Sequence, residues 1–221
     1  MSSALASLDA YAGRLLRSPE PRISAREALA VGTVLGLGYG LVMGTFSGLW
    51  DGRTLQLVYS AVKVPLLLSV TSLIALPAFF VLNVLAGVGG DFPRVVRALL
   101  ATQAGVAVVL AALAPAVLFW YAANADYPQA ILANAVAFGL ASAAGQVLLT
   151  RYYRPLEREH RVHRRLRWLW IALYAFVGVQ MGWVLRPFIG QPGSPEQFFR
   201  DGAWGNAYVE LFAIARRALG L

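Results

Sequence analysis

Glu157, His160 and His163 put a carboxylate and two imidazoles at three-residue steps, a spacing that would gather them on one face of a helix as metal ligands. They include both histidines of the chain. Seven arginines between 151 and 167 surround them, and that much positive charge opposes a dication. No metal site is therefore expected. The same segment instead reads as a basic face for anionic lipid headgroups, with Arg151, Arg154, Arg158, Arg161, Arg164 and Arg165 as the contacts. With the histidines set aside, no Ser/His/Asp set, phosphate loop or carboxylate pair remains. The chain has no cysteine, so thiolate ligands, disulfides and a cysteine nucleophile are excluded. Neither an enzyme nor a cofactor is expected.

Lys63 is the one charged residue beside the middle of a long apolar run, and beyond Glu27 the apolar spans contain no Asp or Glu. Proton- and cation-coupled transporters keep a carboxylate inside the membrane, so a charged substrate, if there is one, would be an anion in contact with Lys63. The alternative is that Lys63 snorkels to the interface. Asn83, Gln103, Asn134, Gln146 and Gln180 place a polar amide in each later span, for hydrogen bonding between helices or for a polar pathway.

Gly32, Gly36, Gly40, Gly44 and Gly48 recur at strict four-residue spacing. Deleting side chains along one stripe lets another backbone come close, which is how helices associate in lipid. That partner is either a helix of the same chain or a second copy. Near the C-terminus, Phe198, Phe199, Arg200, Trp204 and Tyr208 concentrate residue types enriched at interaction hot spots and are candidates for docking. The same rings would also suit a membrane interface.

The elements that must position these residues are membrane helices. Of the 221 residues 58% are hydrophobic and 14% charged, and the mean hydropathy is +0.60, which excludes an ordinary soluble globule. The net charge of +8 lies beside the apolar spans, where topology and anionic lipid account for it and nucleic acid is not needed. The fold class expected is an all-α polytopic bundle of about five transmembrane helices, with amphipathic helices at both ends. The N-terminal segment, residues 1–27, holds the first of these over 2–17, with Leu5, Leu8, Ala12, Leu15 and Leu16 on one face. Ser24 and Glu27 form a capping-box pattern, so the first helix starts near 25 and spans about 28–50. From 54 to 86 the run is too long for one upright helix, so 54–62 reads as an interfacial or re-entrant lead-in to a span over 64–86. Further spans fall at 99–121, 128–150 and 168–185, making 28–186 the membrane domain. Residues 187–221 form an aromatic tail ending in an amphipathic stretch with Leu211, Phe212, Ala215 and Leu219.

Four arginines precede the first span, two lie in the 2–3 loop and seven in the 4–5 loop, against Arg53 and four tail arginines on the other side. The positive-inside rule then places the N-terminus in the cytoplasm and the tail outside.

Three stretches, VKVPLLLSVTSLIALPAFFVLNVLAG at 62–87, YPQAILANAVAFGLASAAG at 127–145 and LRWLWIALYAFVGVQMGWVLRPFIGQPGSPEQFFR at 166–200, cover 80 of the 221 residues. They resemble a group of uncharacterised bacterial inner-membrane proteins, loosely comparable with the Yip family. The resemblance implies a bacterial helical membrane protein and carries over no functional residue. The expected role is a non-enzymatic membrane subunit or scaffold, a homo-oligomer or part of a larger complex, in a bilayer with anionic lipids. A small channel or carrier for anions or lipids is the alternative.

Overall fold

Ser24 and Glu27 open the first helix reciprocally: the Ser24 amide donates to the Glu27 carboxylate (2.7 Å) and the Glu27 amide to the Ser24 hydroxyl (3.2 Å). This computed structural model describes residues 23–48, 53–124, 126–191 and 193–209, with Ala10, Gly13 and Leu15. Within them the fold is all-helical: α1 Ala25–Gly48, α2 Thr54–Leu85, α3 Phe92–Ala123, α4 Tyr127–Glu159 and α5 Val162–Leu185. All five are long and apolar enough to cross a membrane. Their outward faces carry exposed Leu73, Phe119, Leu132, Val147 and Phe176, an apolar exterior that suits lipid as solvent. Apart from Leu15, the apolar face of the N-terminal amphipathic segment lies outside the described residues, as does the C-terminal one beyond Val209.

Connections are short and locally specified. Helix α2 ends in a Schellman motif: Gly87 at φ 75° supplies the left-handed residue, and the Gly87 and Val88 amides bond back to Val84 and Asn83. A single turn of 3-10 helix, Gly89–Asp91, leads into α3, whose first turn holds Pro93. Only His160 and Arg161 separate α4 from α5.

Helix α1 is central. It packs on α2 and α3, with α4 outside α3 and α5 outside α2, while α4 and α5 meet more sparingly. The glycine stripe explains how one helix serves two partners. Each four-residue step turns about 400° at about 100° per residue, so the stripe advances about 40° per step. Gly32 accordingly faces Ala104 of α3, whereas Gly36, Gly40 and Gly44 face Pro65, Ala61 and Leu57 of α2. The surroundings of Gly48 lie outside the described residues. A second small-residue seam joins α3 to α4, where Gly145 sits against Val106 and Gly105 against Leu148.

The expected break between 62 and 64 is absent. Helix α2 runs unbroken for 32 residues, about 48 Å against a hydrocarbon core of about 30 Å. Pro65 removes one backbone donor, but its ring is received by the space at Gly36, 3.4 Å from where a Cβ would stand. The surplus length is covered by the segment after α5 instead of lying flat on the membrane.

Candidate functional site

The N-terminal part of α2 presents Gln56, Ser60 and Lys63 on one helical face, all fully buried. Gln56 donates to the Ser60 hydroxyl (3.0 Å), and Ser60 donates onward to the Phe188 carbonyl (2.6 Å). Lys63 Nζ donates to the Pro187 carbonyl at 2.7 Å and lies 5.0 Å from the centroid of the Phe198 ring. Lys63 therefore does not snorkel, and its amine is held under the tail backbone. Taking an amine out of water is costly unless its donors are used, and the tail backbone supplies the acceptor.

Arg53, just before α2, fastens the same segment. Its guanidinium donates to the carbonyls of Gln191 (2.7 Å) and Ser194 (2.6 Å), and Glu196 stands 3.7 Å away. Gln180 of α5 adds a third fastening, donating to the Gly205 carbonyl and accepting from the Ala207 amide, both at 3.0 Å. Residues 186–208 thus form a cap seated on the bundle by α2 and α5. Phe198 packs edge-on against Tyr59, and Tyr208 stacks on Phe176 and donates to its carbonyl. Burial pushes the Tyr208 phenol above its ordinary range, which keeps it a donor. Of the candidate docking residues, Phe198 and Tyr208 are thereby engaged within the chain. Phe199, Arg200 and Trp204 are exposed, Trp204 to 79%.

Beneath the cap, Tyr39 of α1 donates to Asn134 of α4 (2.9 Å), and the Asn134 amide donates to Tyr121 of α3 and to the Ala130 carbonyl. This triad ties three helices. Beside it, Met43, Leu67, Ile131, Phe138 and Ile189 line much of a cavity of about 420 Å³, with Arg186 and Arg200 as its charged lining residues among the described residues. Elsewhere Asn83 bonds to Phe79 of its own helix, Gln103 accepts from Tyr174, and Gln146 is exposed.

At the opposite end the two histidines flank the break between α4 and α5, with their ring centroids 6.3 Å apart. His160 terminates α4 in an extended conformation, so Glu157, His160 and His163 do not share a helix. His163 is buried and pairs with Asp91 (2.9 Å), while Glu157 takes Arg167 (2.9 Å). Among the described residues no three His, Cys, Asp or Glu side chains gather as a metal site. Arg94 binds Glu159 bidentately, the longer contact at 2.7 Å. Arg154, Arg158, Arg161, Arg164 and Arg165 remain exposed on this end, with Arg151 partly buried.

Sequence reasoning missed Arg53, whose partners lie some 140 residues away and leave no local pattern. It missed Gln56 and Ser60 by reading 54–62 as a lead-in and starting the span at 64, although 56, 60 and 63 follow helical spacing. No protein family, curated protein or solved structure matches this chain.

Proposed function

We propose that the chain is a non-enzymatic subunit or scaffold of the bacterial cytoplasmic membrane, with its N-terminus and arginine-rich end in the cytoplasm and its cap outside. It assembles with a second copy or a partner membrane protein through the cap. The observation that carries this reading is the way polar groups are spent. Lys63, Ser60, Arg53 and Gln180 hold the cap to the bundle, and Tyr39, Asn134 and Tyr121 bind helix to helix. Groups consumed in this way support a fixed shape; a transport path would need them facing a passage. A cap held at three places presents Trp204 and Phe199 outward at little further cost in ordering, which favours a docking role. The arginine excess supports the orientation, and the five exposed arginines at that end suit anionic headgroups.

The mass of the complex in a mild detergent tests the assembly. The parent should run larger than one 23.8 kDa chain with its detergent, and the pair Trp204→Ala and Phe199→Ala should return it to the single-chain mass. A parent that stays a single chain and, once reconstituted, conducts anions saturably would favour the channel reading.

A further inference from the structure

The cavity beside Asn134 has a polarity that the cap does not explain. Its wall is assembled from Met43 of α1, Leu67 of α2, Ile131 and Phe138 of α4 and Ile189 of the cap, while among the described residues its charged lining residues are Arg186 and Arg200. Both are basic. Asp126 and Asp201 flank these segments in sequence but do not line the space. About 420 Å³ falls within the range of small-molecule sites. Along α4 the lining runs from Tyr127 to Phe138, about 16 Å of helix, close to half of a hydrocarbon core of about 30 Å. Of the uncharged polar side chains in the wall, Asn134 is satisfied by Tyr39, Tyr121 and Ala130, and Tyr127 donates to the Ile189 carbonyl at 3.5 Å, so the deep part asks for an apolar occupant. The guanidinium of Arg186 lies over the Trp183 ring, 3.1 Å from its centroid, whereas the Arg200 side chain is exposed and forms no ion pair among the described residues.

We propose that this cavity holds one anionic phospholipid of the leaflet at the cap end, with its phosphate on Arg200 and an acyl chain running down α4 past Ile131 to Phe138. Lipid tails are as apolar as the cavity wall, so moving a chain from bilayer to cavity gains little. Selectivity must come from the headgroup, and a basic residue at the membrane surface favours an anionic one about fivefold. The lipid site stands independently of assembly through the cap.

The test is native mass spectrometry of protein reconstituted into vesicles of equal phosphatidylglycerol and phosphatidylcholine and then extracted in a mild detergent. The parent should retain one phosphatidylglycerol per chain at about fivefold preference. Arg200→Gln should bring the two lipids near parity, and Ala135→Phe, which fills the cavity from α4, should lower retention of both. Arg97→Gln, at an exposed position of α3 away from the cavity, should match the parent. Equal retention of both lipids by the parent would overturn the proposal, as would a preference that survives both Arg200→Gln and Ala135→Phe. Displacement of the retained lipid by millimolar glycerol phosphate would also overturn it, since the site would then belong to a soluble anion.

Discussion

Gly40→Ala should cost the protein more stability than a single methyl group normally does. A Cβ built at Gly40 would stand 2.7 Å from the Ala61 Cα and 2.8 Å from the Ala61 oxygen, and nearer still to the Ser60 oxygen. All three are backbone atoms of the facing helix, so no side chain can rotate away and α1 must lift off α2. Overpacking of this kind costs about 1–3 kcal/mol, and the absence of a yielding neighbour puts Gly40→Ala at the upper end, with Gly40→Leu beyond it. Gly38 is the internal control. It lies on the exposed side of the same helix with nothing within 4 Å of its Cβ position, so Gly38→Ala should be neutral or gain about 0.5–1 kcal/mol from helix propensity. Denaturation in mixed micelles separates the two. Equal, small effects at both positions would mean that α1 and α2 do not approach as closely as described.

The second large effect is expected at Arg53. Arg53→Ala removes two charge-assisted hydrogen bonds to the cap backbone and the cation nearest Glu196. At about 1.5 kcal/mol for each bond to a charged group, the loss is about 3 kcal/mol, roughly a hundredfold in the equilibrium for opening the cap. Hydrogen exchange should accelerate between 186 and 205 while α3 and α4, which Arg53 does not touch, keep their protection. Unchanged exchange in the cap would show that Lys63, Ser60 and Gln180 hold it without Arg53.

Much of this architecture is legible in the sequence because its signals are local. The Ser24 and Glu27 cap lies within one turn, and the glycine period is a property of a single helix. What the glycines touch is not local: their winding past α3 and then α2 follows from the helix pitch, but the choice of partner chain does not. The burial of Lys63 on an unbroken helix has a physical reason that spacing does not carry. Bilayer thickness alone makes residues 54–62 an interfacial or re-entrant lead-in. The cap supplies a second cover, and under it Gln56, Ser60 and Lys63 form a polar face of an otherwise apolar helix. The histidine spacing is a pattern that the fold does not keep on one helix. Periodicity counts residues as if the helix continued, and here it stops at His160. The cavity joins residues of α1, α2, α4 and the cap, and no spacing rule connects segments so far apart.

The proposed five crossings would put the two ends of the bundle on opposite faces of the membrane. The chain contains no cysteine, so one introduced thiol can be labelled without background. Arg161→Cys, in the connection between α4 and α5, and Asp201→Cys, in the cap, are both at exposed positions. A membrane-impermeant maleimide should label Asp201→Cys in cells stripped of any outer envelope and Arg161→Cys only after the cytoplasmic membrane is permeabilised. Labelling of both from the same side would contradict the five-crossing topology.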